Sequence, residues 1–150
     1  MRDEGQMVKT FVCDHWTLEY DIAFCGLPKA VHKAAFLAKH DKVINAGKKD
    51  RKEVIKEADE AYEKLKTSFD RNKAAKCSSI YKMYHSGMAS KAIGAQYLAQ
   101  ILDNWSRKEG FDRSKFAARL PRYIVGAIEH VTNLSAGSEL HAFAEDDGDE

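Results

Sequence analysis

Residues 8–26 read VKTFVCDHWTLEYDIAFCG, and this stretch decides the predicted fold of the chain. Its first six residues, 8–13, are rich in β-branched and aromatic side chains and form the only clear β-strand that the sequence predicts. A helix is predicted next, because Thr17 is a suitable N-cap, apolar residues recur at helical spacing and Gly26 is a suitable stop. One strand cannot satisfy its own backbone, so we expect its partner strands to be supplied from elsewhere.

The rest of the chain predicts helices separated by clear breaks. The capping and stop signals are Pro28, Gly47, Asp50, residues 70–72, Ser86–Gly87, Gly110, Asp112 and Pro121. The two helices on either side of residues 70–72 share one apolar spacing, and they are expected to pair as a hairpin. The sequence shows no internal repeat.

Composition favours a single soluble domain. The 150 residues are 44% hydrophobic and 31% charged, which excludes a disordered or collagenous chain. The cysteines Cys13, Cys25 and Cys77 are too widely spaced for a disulfide framework or a metal clip. No stretch reaches the ~20 apolar residues of a membrane span, and the N-terminus has no apolar signal core, so we expect a cytoplasmic protein without membrane contact.

The net charge of the chain is +1, but the charged residues are distributed unevenly along it. Residues 29–91 contain 16 basic and 8 acidic residues, whereas the acidic residues predominate in residues 134–150, which we predict to be an acidic disordered tail. The basic section could contact nucleic-acid phosphates, but its tyrosines stand at a spacing that is more typical of a helix core. Both interpretations remain open at this point.

Glu19 and Asp21 are the residues most suited to metal chemistry. They lie in the first turns of a helix that follows the predicted strand, where open α/β sheets place ligands, and carboxylates there can hold Mg²⁺. Acidic residues in a first helical turn also stabilise the helix dipole, which is the competing interpretation. The two side chains point about 200° apart on a helix, so they are not expected to bind one ion together.

Lys91 stands out for a different reason. It lies near the start of its helix, where a cation opposes the helix dipole, and it is in line with the apolar residues Leu98 and Trp105. Such a lysine extends to solvent or meets an anion. The six histidines lack metal-binding spacing and are interpreted as surface or loop residues.

Three segments resemble one family of enzymes. Residues 8–12 with WTLEYDIA, residues 16–23, resemble the strand and "TLEYDLA" motif of the OLD-family ATP-dependent endonucleases, within their Toprim nuclease domain. Residues 91–99, KAIGAQYLA, are similar to that family's "K-x-x-x-A-Q-x-L-A" helix. Residues 120–128, LPRYIVGAI, are similar to its closing "P-x-Y-I-x-x-A-I" segment.

The resemblance implies a metal-dependent DNA endonuclease that uses Mg²⁺ or Mn²⁺. Glu19 would be a metal ligand, Lys91 the catalytic lysine, and Asp21 a second metal-ligand candidate with a less defined role. The strand-borne Glu and the Asp-x-Asp pair of the full Toprim domain have no counterpart here, nor does the ATPase domain through which ATP would act. We therefore expect the chain alone to be inactive. DNA, the ATPase and the N-terminal Toprim portion, in the same or a partner chain, would be its partners in a homo-oligomeric enzyme.

The predicted fold class is mainly α with one β-strand, the C-terminal portion of an α/β Toprim domain that carries a helical insertion. The alternative function is a non-enzymatic helical module that binds nucleic acid or a protein partner. The predicted divisions are residues 1–47 for the strand and the TLEYD helix, 48–86 for the basic insertion, 87–133 for the C-terminal Toprim-like helices and 134–150 for the tail.

Overall fold

The computed structural model describes the backbone of residues 8–144 and the side chains of residues 8–133. This part of the chain forms α-helices joined by short connections. The helices are α1 (Leu18–Cys25), α2 (Pro28–Asn45), α3 (Arg51–Ser68), α4 (Lys73–His85), α5 (Lys91–Ser106), α6 (Arg113–Ala117) and α7 (Arg122–Ala144).

The predicted β-strand is wrong, and with it the predicted α/β Toprim sheet. Residues 8–13 have no regular secondary structure, and residues 8–144 contain no strand or sheet. Instead, the Phe11 ring packs near His130 of α7, with 6.0 Å between ring centroids, while Val8 and Val12 are 79% and 71% exposed. Strong β propensity does not make a strand here, because residues 8–144 provide no neighbouring strand for its backbone groups.

Most of the predicted helix boundaries are confirmed, because they depend on local hydrogen bonds. The side chains of Thr17, Asp50, Asn72 and Asp112 each accept a backbone N–H in the first turn of α1, α3, α4 and α6. Gly26 ends α1 with φ at +151°, a conformation that L side chains rarely adopt. Helix α7 continues beyond residue 133 into the segment predicted as the tail, and residues 145–150 of that segment lie outside the described residues.

Helix α2 is the centre of the molecule. It packs against α1, α3, α4 and α5, and its alanines Ala34, Ala35 and Ala38 are buried, which lets neighbouring backbones approach closely. Leu37 of α2, Val54 of α3 and Ile80 of α4 are almost fully buried. The predicted α3–α4 hairpin is wrong, because α3 packs against α2 and α4 packs against α1 and α2, rather than against each other.

The start of α5 lies close to α1 because of two contacts that the fold creates. Helix α4 packs against both α1 and α2, while α5 crosses α2 and presents Gly94 to the ring of Tyr84 in α4. None of the helices in the described part of the chain is both long and apolar enough to cross a membrane.

Candidate functional site

Glu19 and Lys91 meet at the surface between α1 and α5. The Lys91 ammonium nitrogen lies 3.5 Å from a Glu19 carboxylate oxygen, although the two residues are far apart in the sequence. The Glu19 side chain is 22% exposed and the Lys91 side chain is 51% exposed, so solvent and a ligand can reach both groups. Lys91 was expected to extend to solvent or to meet an anion, and the anion that it meets is the Glu19 carboxylate.

The first turn of each helix holds its charged residue in place. Thr17 accepts a hydrogen bond from the Tyr20 N–H at 3.3 Å, which fixes the start of α1 and the position of Glu19. Ser90 caps α5 in the same way by accepting the Ile93 N–H at 3.4 Å, directly before Lys91. Two ordinary N-caps thus place a carboxylate and an ammonium group opposite each other.

Aromatic side chains border this pair. The Lys91 ammonium lies over the Tyr81 ring, 5.2 Å from its centroid, which is a cation–π contact. The Trp16 ring packs against the same Tyr81 ring, with 4.5 Å between the two ring centroids, and Trp16 is 57% exposed. An exposed indole beside a half-exposed ammonium group is a surface that a planar or anionic ligand can contact.

Tyr84 lies beneath the pair and connects α4 to α5. Burial raises the pKa of its phenol strongly, and the negative charge of Glu19 raises it further, so Tyr84 is a neutral hydrogen-bonding group at any physiological pH. A Cβ atom at position 94 would lie 2.6 Å from the Tyr84 ring, closer than carbon atoms can approach. Gly94 is therefore what allows α5 to come near enough for Lys91 to reach Glu19.

Asp21 faces away from Glu19 and is completely buried. Its carboxylate accepts hydrogen bonds from the backbone N–H groups of Asp14, at 2.9 Å, and His15, at 3.4 Å. The His15 imidazole also lies 3.3 Å from the carboxylate. These contacts hold the loop before α1 against the helix, in agreement with the opposite directions expected for the two acidic side chains.

The region around Asp21 also contacts the last helix. Burial, the Cys13 side chain and the Asp21 charge together raise the pKa of the Tyr123 phenol in α7. Asp21 consequently lies at the junction of the 8–16 segment, α1 and α7. Its environment is that of a buried structural carboxylate.

Part of the basic section is already neutralised by ion pairs within the protein. Lys29 and Lys33 of α2 both contact Asp59 of α3, at 3.3 Å and 2.9 Å. Burial alone would raise the pKa of Asp59, but the hydrogen bonds and charges of these two lysines lower it. Lys49 is likewise paired with Glu57, at 2.6 Å. The exposed lysines that make no ion pair within residues 8–133 include Lys39, Lys42, Lys52, Lys56, Lys64 and Lys82.

A metal ion would not be held by these residues alone. Among the described residues, no group of three or more His, Cys, Asp or Glu side chains is arranged so that it could hold a metal ion. Glu19 offers one carboxylate, whereas Mg²⁺ is usually held by several oxygen ligands in an octahedral arrangement. The described residues therefore do not fit a complete metal site, and Glu19 can contribute one ligand to a site completed by other groups.

In comparisons with known proteins, no family model, curated protein or solved structure matches the chain.

Sequence reasoning singled out Glu19, Asp21 and Lys91 but missed the residues that organise them. Trp16 is part of the TLEYD-containing motif, but the sequence assigned it no role. The helix-core interpretation of the tyrosines in the basic section is confirmed for Tyr81, which is 7% exposed, but the sequence did not indicate its contacts with Lys91 and Trp16. Gly94 did offer a signal, because a glycine inside a helix pattern costs helix stability and often marks a close packing contact. Its partner Tyr84 could not be identified without the packing of α4 against α5.

Proposed function

We propose that this chain is the C-terminal part of a metal-dependent DNA endonuclease of the OLD type. The observation that carries the proposal is the 3.5 Å contact between Glu19 and Lys91. These are the two residues to which the family resemblance assigns metal binding and catalysis, and they come from separate motifs. A chance likeness in two distant segments gives no reason for these particular side chains to meet.

The pair has suitable chemistry for phosphodiester cleavage. A carboxylate attracts a divalent cation, and an ammonium group stabilises the negative charge that builds on phosphate oxygens as the bond breaks. When bound, the metal would supply an activated water molecule and neutralise phosphate charge. The half-exposed Lys91 ammonium can turn from Glu19 to a phosphate without disturbing the core, because the lysine stem is flexible.

Within this proposal Asp21 is a structural residue, not a metal ligand. Its carboxylate is buried and hydrogen-bonded to the backbone of the preceding loop, so it would have to leave those donors to reach an ion near Glu19. The remaining ligands would come from the acidic portion of the enzyme that the resemblance places upstream. We therefore expect no cleavage by this chain alone.

The second candidate is a non-enzymatic helical module that binds nucleic acid or a protein partner. It is favoured by the helices packing around α2 without a sheet, and by exposed lysines on α2, α3 and α4 that have no ion-pair partner among the described side chains. Phosphate contacts by such lysines would make DNA binding strongly dependent on salt.

The test combines this chain with the missing acidic and ATPase portions, which would be sought in the adjacent genes, and measures plasmid cleavage with Mg²⁺ or Mn²⁺. Glu19→Gln and Lys91→Gln should each lower the cleavage rate, Lys91→Gln by about 10²–10³-fold, which is typical for loss of one preorganised donor. Lys82→Gln is the matched control, since Lys82 is exposed on α4 and outside the site. DNA affinity should change little in all three variants.

Two results would contradict the proposal. One is full cleavage by the Lys91→Gln enzyme, which would leave the ammonium group without a catalytic role. The other is salt-dependent DNA binding with no metal-dependent cleavage by the combined proteins, which would favour the binding module.

A further inference from the structure

A cavity of about 600 Å³ opens on a different part of the molecule from the Glu19–Lys91 pair. Its walls are the start of α2, the middle of α3, the C-terminal half of α5 and Arg119, which precedes α7. Neither Glu19, Asp21 nor Lys91 lines it. Small-molecule sites in proteins have volumes of roughly 300–1,000 Å³, so this cavity has the size of a ligand site.

The inner wall of the cavity is apolar and partly aromatic. It is formed by Leu27, Ile55, Tyr62, Ile101 and Trp105. The Trp105 ring packs against Phe111 and Phe116 with the ring planes at 76° and 88°, and these contacts hold the indole in place. A rigid indole among aliphatic side chains is suited to a flat, unsaturated group.

The rim of the cavity carries a strong excess of positive charge. Its cations are Lys29, Lys33, Lys66, Lys108 and Arg119, and Glu63 is the one carboxylate among the lining residues. Lys29 and Lys33 already contact Asp59, which lies outside the lining, and the ammonium groups of Lys66 and Lys29 lie 3.7 Å and 4.0 Å from Glu63. Lys108 and Arg119 make no ion pair within residues 8–133, and the Arg119 guanidinium lies over Trp105, 5.5 Å from the ring centroid. Charge at this opening is complementary to an anion with more than one negative charge.

The start of α2 adds hydrogen-bond donors to the same cavity. Leu27 is its N-cap and cannot accept a hydrogen bond through its side chain, and no acidic residue stands in the first turn. The backbone N–H groups of Lys29 and Ala30, both lining residues, find no acceptor among the described residues. Such groups bind phosphate oxygens well, although the charge and shape of the cavity carry the inference.

We infer that this cavity binds a nucleoside phosphate. The base would lie along the apolar wall beside Trp105, and the phosphates would be held by Lys66, Lys108 and Arg119 at the rim. Asn104, another lining residue, has an amide that can donate to and accept from a base edge. The inference is independent of the proposed function, because it depends on a separate set of residues.

Binding can be measured through Trp105 itself. The chain has two tryptophans, so Trp16→Phe leaves Trp105 as the single source of indole fluorescence, and circular dichroism confirms that this background protein is folded. The probe is ADP, with adenosine and inorganic phosphate as its two parts. We expect ADP to quench the Trp105 fluorescence saturably. Adenosine and inorganic phosphate should each bind at least about tenfold more weakly than ADP, because each makes only some of the contacts.

Paired charge variants then locate the site. The double variant Lys66→Gln/Arg119→Gln should lower ADP affinity about tenfold, through the loss of two charge-assisted contacts. The double variant Lys56→Gln/Arg71→Gln removes the same charge from exposed positions outside the cavity and should leave affinity unchanged. Ala30→Leu, which fills the cavity at constant charge, should also abolish quenching.

The inference is overturned if ADP causes no saturable quenching, if adenosine or inorganic phosphate binds as tightly as ADP, or if the two double variants weaken binding equally. Full ADP affinity in a folded Ala30→Leu protein would likewise show that the ligand binds elsewhere.

Discussion

His32 should make the stability of this protein fall as the pH is lowered below neutrality. The imidazole lies on α2 and is only 5% exposed, so the predicted surface or loop position is wrong for this histidine. The rings of Tyr62 and Phe36 are its aromatic neighbours, at centroid distances of 5.5 Å and 6.0 Å. Its Nδ1 atom has no hydrogen-bond partner among the described residues. Burial lowers the pKa of His32 from 6.5 to about 4, and the nearby negative charge of Asp59 offsets only part of this effect.

The size of the effect follows from the difference between these pKa values. An unfolded chain protonates this histidine near pH 6.5, whereas the folded protein resists protonation until about pH 4. The unfolded state therefore binds more protons between those values, so the free energy of unfolding decreases as the pH falls through that window. Between about pH 7.5 and about pH 5 the expected loss is roughly 2 kcal/mol.

Urea denaturation of the wild type and of His32→Gln at these two pH values measures this loss. Over the same pH interval, the free energy of unfolding of His32→Gln should fall by about 2 kcal/mol less than that of the wild type. This difference does not depend on how stable the variant is at the higher pH. His85→Gln is the control, since His85 is exposed at the end of α4, and it should behave like the wild type. Equal losses of stability in wild type and His32→Gln, or an NMR titration of His32 near pH 6.5, would contradict this prediction.

Two further predictions concern the candidate site. Asp21→Asn should lower the free energy of unfolding by about 1–3 kcal/mol, because it removes the charge that strengthens two backbone N–H hydrogen bonds and the contact with His15 in a buried site. Glu19→Gln should cost less than about 1 kcal/mol, because its ion pair with Lys91 is partly exposed. Urea denaturation separates them, and equal costs would contradict their different roles. Gly94→Ala should destabilise by about 1–3 kcal/mol through the clash with Tyr84, and the Tyr84→Leu background should remove most of that cost. Because alanine also favours a helix over glycine by about 1 kcal/mol, the comparison of the two backgrounds isolates the clash, and equal effects of Gly94→Ala in both would show that α5 lies farther from α4.

The helix boundaries were predictable because they depend on neighbouring residues. A side-chain oxygen at Thr17, Asp50 or Asp112 satisfies a free N–H group two or three residues later, whatever the rest of the chain does. The strand at residues 8–13 was not predictable in this way, since a strand exists only with a neighbour to which its backbone can bond. The α3–α4 hairpin failed for a related reason: shared apolar spacing shows that two helices are amphipathic, not which partner they cover.

The sequence pattern predicted most of the helix boundaries and singled out Glu19 and Lys91, the two residues on which the proposed function depends. It also determined that Glu19 and Asp21 point in different directions, because that follows from the helical repeat alone. The burial of Asp21 against its own loop and the contact between Lys91 and Glu19 do not follow from any local pattern. Such contacts depend on how α1, α4 and α5 pack around α2, and that packing depends on the shapes of all the side chains together.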